Sequence, residues 1–420
     1  EAILDAVEKE CGWMYETKGP NGEKAKINYT VWSDVFICPE CGNEVVFYNE
    51  AVNKENGKVH NEFPCPHCRA LLTKRSMSRA TVTSYDSALK QTLTTAKQVP
   101  VLINYSIGKK RGEKNPDVYD LALIKKIEEM EIPYWYPTNR MIEGREGRRN
   151  DPAGITHVHQ FYTKRNLHVM AFLTNLVKQK SPQSRFLLQY GLLGFSKLAR
   201  YVPSHFSQIN QYLSGTLYIG SQQVEISPWY IYPNKIKRLA SSEMANFPKN
   251  PNLSIISVGD AAKINAENAS CDYLFLDPPF GANLNYSELS FIWEAWLKVI
   301  TNNKEEAIEN SSQGKGINEY RALMRACFAE AYRVLKPGRW MTVEFSNTDS
   351  AVWNSIQTSL SEVGFIVANV SALDKQQGSF KAVTTTKAVK QDLVISLYKP
   401  DETFEQQITH AVGEEQVWTF

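Results

Sequence analysis

Hydrophobic positions change their spacing along the chain. Ile3, Leu4, Val7 and Cys11 recur at helical intervals and predict a helix over residues 1–16. The runs YTVWSDVFIC and EVVFYNE read as β-rich. Residues 73–118 are polar, rich in Thr, Ser and Lys, with a basic cluster at Lys109, Lys110 and Arg111. A long helix is predicted from about Thr163 through RNLHVMAFLTNLVKQ, and another over residues 184–199. GTLYIGSQQVEISPWYIY reads as an aromatic-rich hairpin. From Ser254 the texture becomes strand–helix alternation. LSIISV, CDYLFLD, RWMTVEF, GFIVANV and LVISLYK are the predicted strands, with SFIWEAWLKVI, YRALMRACFAEAYRVL and SAVWNSIQTSLSEV as helices between them. That alternation predicts an α/β sheet with helices packed on it.

Composition narrows the class without naming it. The chain of 420 residues is 43% hydrophobic and 22% charged, as ordinary globular proteins are. No apolar run approaches the ~18 residues a membrane span needs, and no leader-like segment opens the chain. The expectation is a cytoplasmic protein with no membrane partner. A net charge of +2 announces no polyanion, so any nucleic-acid surface must come from local clustering. Arg140, Arg145, Arg148 and Arg149 form such a cluster, interleaved with Asn139 and the aromatics Tyr134, Trp135 and Tyr136. Arginines so placed can contact phosphates or guanine edges. A solvated loop anchored by its aromatics has the same composition.

Four of the seven cysteines form two knuckles, Cys38-Pro39-Glu40-Cys41 and Cys65-Pro66-His67-Cys68, separated by 23 residues. Two tight turns that each present a pair of thiolates close a tetrahedral shell around one Zn2+. Four cysteines leave no open coordination position, so the expected role is structural. Cys11, Cys271 and Cys327 read as core cysteines.

The chemistry-bearing motif is Asp277-Pro278-Pro279-Phe280, at the end of the apolar strand CDYLFLD. Ligands of open α/β sheets sit at the carboxyl ends of strands. Two prolines remove N–H donors and leave carbonyls as acceptors. An amino-group methyltransferase needs acceptors for the two N–H bonds of its target, and Asp277 with the Pro278 carbonyl can supply them. Phe280 can stack on a base flipped out of the duplex. A strand closed by a proline turn with Asp as its cap gives the same tetrapeptide. Around it, IISVGDA lies upstream and AYRVLKPGRWMTVEF downstream.

Over residues 253–400 the chain resembles the amino-methyltransferase family of DNA modification enzymes. In that family a Gly-Asp segment precedes a strand ending in D/N/S-P-P-Y/F/W, followed by a helix ending in RVLKPGG and a fifth strand. Here Arg339 replaces the second glycine and Phe280 takes the aromatic slot. The resemblance implies S-adenosyl-L-methionine as cofactor, with Asp260 and Asp277 beside it. It also implies adenine N6 as target, since D-P-P is commoner among adenine enzymes and S-P-P among cytosine-N4 enzymes. Double-stranded DNA is the implied partner, with a restriction-modification or phage-defence system and its subunits as the setting. The last two strands match the closing hairpin of that fold. The polar loop between them offers Lys375, Lys381 and Lys387 to phosphate or to solvent. Phe161-Tyr162-Thr163-Lys164-Arg165-Asn166 is similar to an F-T-x-R-N segment of the zinc-ribbon-containing branch of adenine-specific methylases.

No glycine-rich turn after a strand is found. The chain opens at Glu1 within a predicted helix, and that branch carries its glycine motif ahead of the ribbon. The expected fold is therefore a Rossmann-like methyltransferase sheet whose first strands lie outside this chain, with an inserted zinc ribbon and a mixed α/β recognition region. The expected layout is a core helix over 1–28, the ribbon over 29–75, a DNA-recognition insertion over 76–253, the catalytic domain over 254–400 and a tail over 401–420. Residues 301–317 are expected to form a mobile loop. The competing readings are a cytosine-N4 enzyme, an RNA or protein amino-methyltransferase with the same turn, and a non-catalytic DNA-recognition subunit.

Overall fold

In the computed structural model a 14-residue strand, β1 (Lys24–Ile37), organises the first of two units. The structure describes residues 2–53, 56–178, 184–204, 209–210, 212–246, 255–347, 349–374 and 391–401. The first unit comprises Glu1–Pro251 and Glu288–Ile300, the second Asn252–Ser287 and Thr301–Phe420. β1 runs unbroken through position 28, and the helix α1 (Ala2–Cys11) buries Leu4, Val7 and Cys11 in the core of the first unit.

β1 pairs antiparallel with β2 (Gln98–Ile107) on one side and β3 (Gln222–Ile226) on the other. Residues 110–114 extend the sheet beyond β2, and residues 200–201 and 209–210 extend it beyond β3. The middle of β1 is buried on both faces, so its side chains do not alternate in and out. The helix α2 (Lys164–Val177) contributes Val169, Met170 and Leu173 to the same core. Its N-terminus is capped by Thr163, whose hydroxyl accepts from the Asn166 amide at 3.3 Å. Other helices of this unit include one over Val118–Glu129, α3 (Arg185–Gly194), α4 (Pro228–Asn246) and, from Glu288 on, α5 (Tyr286–Leu297).

Two expectations change in this unit. The segment GTLYIGSQQVEISPWYIY is not a hairpin. Only Gln222–Ile226 is a strand, and Pro228 opens α4, a position where its fixed φ and missing N–H are tolerated. EVVFYNE likewise divides into a strand over Glu44–Val46 and a short helix over Phe47–Ala51. Residues 73–118, read only as polar, contain β2 and an exposed hairpin of Thr81–Asp86 with Gln91–Ala96.

The second unit carries a four-stranded sheet in the order β4 (Cys271–Leu276), β5 (Leu335–Phe345), β7 (Gln391–Lys399), β6 (Ile366–Asp374). β4 and β5 are parallel, whereas β7 is antiparallel to both its neighbours. The closing hairpin expected from sequence is thus present. The helices α6 (Ile317–Val334) and α7 (Ser350–Val363) precede and follow β5. α6 presents Tyr320, Met324, Phe328 and Ala331 at helical intervals, and α7 presents Val352, Ile356 and Leu360. Both stripes pack on Met341, Val343 and Phe345, one set of alternating positions of β5.

The other set faces outward. Tyr273 and Phe275 of β4 and Trp340 of β5 are 54%, 58% and 47% exposed. All-parallel sheets are found with both faces covered, and the parallel pair β4–β5 of this mixed sheet has an apolar face that no described residue covers. LSIISV departs from expectation. Residues 253–254 lie outside the described ones, while Ile255, Ile256 and Val258 pair with no described strand and are at least 95% exposed. A strand needs a ladder partner, and none of the described residues supplies one to this segment. Residues 301–317, expected to form a mobile loop, make several polar bonds. The Lys315 ammonium donates to the Asn303 and Glu306 carbonyls at 2.6 Å each, and the Ser287 hydroxyl donates to Glu306 at 2.6 Å. Lys375, Lys381, Lys387 and residues 402–420 lie outside the described residues.

Candidate active site and metal centre

Asp277-Pro278-Pro279-Phe280 leaves the carboxyl end of β4 as irregular backbone. Its two halves are treated differently. The Pro279 carbonyl accepts from the buried Tyr320 hydroxyl of α6 at 2.7 Å, and the Phe280 carbonyl accepts from the Asn347 side-chain amide at 3.1 Å. The Phe280 ring meets Phe345 edge to face, centroids 5.2 Å apart, and remains half-buried. Gly281 follows at φ +64°, and a side chain there would strike the Glu309 carboxylate at 2.7 Å. The back of the turn is therefore fixed at three points.

The front is not. Asp277 is exposed, and among the described residues neither its carboxylate nor the Pro278 carbonyl has a hydrogen-bond partner. A carboxylate and a carbonyl on adjacent residues thus face outward with no protein partner among the described residues, on an anchored turn. The Tyr286 phenol is raised above its ordinary pKa by burial and by the Asp277 charge, and the Glu309 carboxyl is raised by burial and by Asp349. Tyr320, Asn347 and Glu309 were not singled out from sequence. Their positions, in the first turn of α6, just after β5 and in a polar loop, carry no local signal.

Asp260 occupies a tight turn. Its carboxylate accepts from the Ala262 amide at 2.9 Å and pairs with Lys263 at 3.3 Å. These bonds are those of a capping aspartate, which leaves the implied cofactor contact without support from its own surroundings.

In the first unit, β1 ends at Ile37 and delivers the first knuckle. Cys38 Sγ lies 3.8 Å from Cys68 Sγ, Cys41 Sγ lies 3.8 Å from Cys65 Sγ, and all four sulfurs fall within 4.8 Å of one another. Four thiolates about 2.3 Å from one ion in a tetrahedron stand about 3.8 Å apart, so the cluster fits structural zinc. The knuckles repeat each other in detail. The Gly42 and Arg69 amides donate back to the Cys38 and Cys65 carbonyls at 3.0 and 3.1 Å, and both residues sit at positive φ, +71° and +65°. The Asn43 N–H beside Cys41 pulls that thiol down to about 6. The Cys68 N–H lowers Cys65 in the same sense.

The arginine-rich segment is a folded loop. Glu288 of α5, fully buried, accepts from the Glu146 and Gly147 amides at 2.6 and 2.9 Å. A side chain on Gly144, at φ +144°, would overlap that carboxylate. Arg140 forms a bidentate pair with Asp151 at 3.2 and 2.6 Å, Arg148 pairs with Glu143, and Arg149 pairs with Glu146. Arg145 alone of the four is exposed without an ion pair or hydrogen bond among the described residues. The F-T-x-R-N-like segment is also structural. Arg165 is buried against Glu225 and donates to the Met14 carbonyl at 2.7 Å, and the Asn166 amide donates to the Phe195 carbonyl at 3.0 Å. Among the described residues no helix is long and apolar enough to cross a membrane.

No family model and no curated protein matches the chain. Solved structures match in part. A candidate DNA modification methylase of Thermus thermophilus is similar over 38% of this chain and 60% of its own length, at 16% identity and a TM-score of 0.20. Its complex with S-adenosyl-L-methionine matches over 63% of its length with the same score. A SAM-dependent methyltransferase of Methanosarcina mazei matches over 39% of this chain and 77% of its own, at 12% identity and a TM-score of 0.21. A complex of the Haloferax volcanii Trm112 activator with a methyltransferase matches over 37% and 65%, at 11% and 0.23. At these scores the likeness fixes neither reaction nor substrate.

Proposed function

We propose that the chain carries the catalytic half of an S-adenosylmethionine-dependent methyltransferase acting on an exocyclic amino nitrogen of a DNA base, adenine N6. The observation that carries this reading is the division of the tetrapeptide. Tyr320 and Asn347 hold its back, while the Asp277 carboxylate and the Pro278 carbonyl are left as adjacent acceptors with no protein partner among the described residues. An exocyclic amine brings two N–H donors and nothing else for this pair to bind. Accepting both draws the nitrogen lone pair out of conjugation with the ring, which makes it a nucleophile. Preorganised acceptors of this kind act without reorganising during the reaction. Phe280, fixed by Phe345, offers a stacking surface for the base.

S-adenosylmethionine, when bound, supplies an electrophilic methyl group. The exposed apolar face and the β4 edge, unpaired among the described residues, are the places where strands of a cofactor-binding half would add. In the first unit the four cysteines hold a structural zinc, and the exposed guanidinium of Arg145 is the member of its cluster left to meet duplex DNA.

The test is methyl transfer to duplex DNA by the chain joined to its cofactor-binding half, followed by digestion and nucleoside analysis. Asp277→Ala should abolish N6-methyladenine while DNA binding persists. Retained transfer removes Asp277 from the chemistry. N4-methylcytosine as the sole product keeps the enzyme class and overturns the base.

A further inference from the structure

A cavity of about 560 Å3 opens in the first unit between α3, α4, α5 and Tyr212. Its volume is that of a small-molecule site. Tyr190, Tyr212 and Trp293 form aromatic walls, with Tyr212 and Trp293 edge to face at 6.4 Å. Lys235 and Arg238, three residues apart on α4, bring two cations to the same rim, and the Lys235 ammonium lies 4.3 Å from the centre of the Tyr190 ring. Among the described residues that line it, none is acidic. Gln189 adds one amide able to meet a hydrogen-bonding edge.

This combination selects its ligand by chemistry. Aromatic walls favour a planar ring, because bases stack on such side chains irrespective of sequence. Two cations one helical turn apart, with no carboxylate among the lining residues, favour an anion beside that ring. A purely apolar ligand would make no use of the two cations, and inorganic phosphate would leave the aromatic walls unfilled. We propose that this cavity binds a nucleotide, base against Trp293 and Tyr212, phosphate against Lys235 and Arg238. The nucleotide comes either from an unstacked position in a strand or free from solution. The site rests on none of the tetrapeptide chemistry, and its test involves no methyl transfer.

Calorimetric titration of the intact chain with dTMP, thymidine and the octanucleotide (dT)8 decides the matter. dTMP should bind at least tenfold tighter than thymidine. Trp293→Ala and Tyr212→Ala should each weaken dTMP by roughly 5- to 150-fold, the span seen for one stacked base. Lys235→Ala with Arg238→Ala should reduce dTMP to the level of thymidine. These two side chains and Tyr212 are at the surface, so the variants keep the fold, which circular dichroism verifies. (dT)8 binding far tighter than dTMP identifies a strand as the source, and equal affinity identifies the free nucleotide. No heat with any probe at millimolar concentration, thymidine equal to dTMP, or wild-type affinity in the variants overturns the proposal.

Discussion

Tyr320→Phe isolates the contact that anchors the back of the tetrapeptide. The substitution removes one oxygen and leaves the buried ring, which is fully enclosed in the core of the second unit. What is lost is the 2.7 Å bond to the Pro279 carbonyl, whose acceptor becomes unsatisfied. A bond of this kind contributes about 0.5–1.5 kcal/mol net, and an orphaned acceptor costs about 1–3 kcal/mol when sealed from water. Pro279 is half-buried, so water can replace part of the bond, and about 1 kcal/mol of lost stability is expected. Catalysis should suffer more. The Asp277 carboxylate and Pro278 carbonyl are aimed by a turn that would keep only the Asn347 bond and the Phe280 packing. A displacement on the order of 1 Å can cost about a hundredfold in rate. The assays are urea denaturation for stability and initial rates of tritiated methyl transfer for kcat and KM. The expected pattern is a fall in kcat of about tenfold or more with KM for S-adenosylmethionine little changed. Wild-type kcat alongside a stability loss of about 1 kcal/mol would show that the turn needs no anchor, and the division of the tetrapeptide would lose its meaning.

Elemental analysis should find one zinc per chain, and Cys38→Ser should lose the metal and unfold the ribbon, because a structural ion couples to local folding; unchanged zinc content would refute the four-cysteine shell. Arg145→Ala should weaken duplex binding on all sequences and reduce its salt slope by about one, if the guanidinium meets a phosphate. Arg149→Ala should instead lower stability, because it strips Glu146 of its cation; equal effects of the two on salt dependence would refute the division of roles. The Glu146 carboxyl would be raised by burial, but Arg149, the Leu217 amide and the Thr216 hydroxyl outweigh burial and hold it below its usual range. Its contribution is therefore complete above the unfolded value of about 4.3 and is lost as pH falls through the lower folded value. Denaturation midpoints measured across that window should flatten in Glu146→Gln, and an identical acid profile would refute the assignment.

Legibility from sequence follows the range of the contacts. The second unit was readable because its signals are local: α6 and α7 each carry an apolar stripe, and β5 alternates between buried Met341, Val343 and Phe345 and exposed Trp340. The zinc knuckles were readable because each closes within a few residues. The arginine loop was not, since its fold depends on Glu288, 142 residues from Glu146. Three guanidiniums that resemble a nucleic-acid surface in the sequence are matched by Glu143, Glu146 and Asp151, whose pairing no spacing rule reveals. β2 hid for another reason. Its core residues Val101, Leu102, Ile103 and Tyr105 sit among Gln98, Pro100 and Asn104 in a stretch whose average is polar. In the second unit, Ile255, Ile256 and Val258 were read as a strand on side-chain pattern alone, which is blind to whether a neighbouring strand exists to receive the backbone.

The bare face beside β4 constrains what can be built onto it. Connections between parallel strands turn right-handed almost without exception. With strands upright, stepping from β4 toward β5 sends the intervening helix to one face, the face that α6 and α7 occupy. A chain that steps outward from β4 travels the opposite way, so the same handedness sends its helices to the opposite face, over Tyr273, Phe275 and Trp340. Added strands and their helices would therefore close the edge and roof the exposed aromatics together. The line where the two directions diverge lies along β4, and the crevice at the carboxyl end of such a line is where open sheets hold their ligands. Asp277 is the first residue past that end.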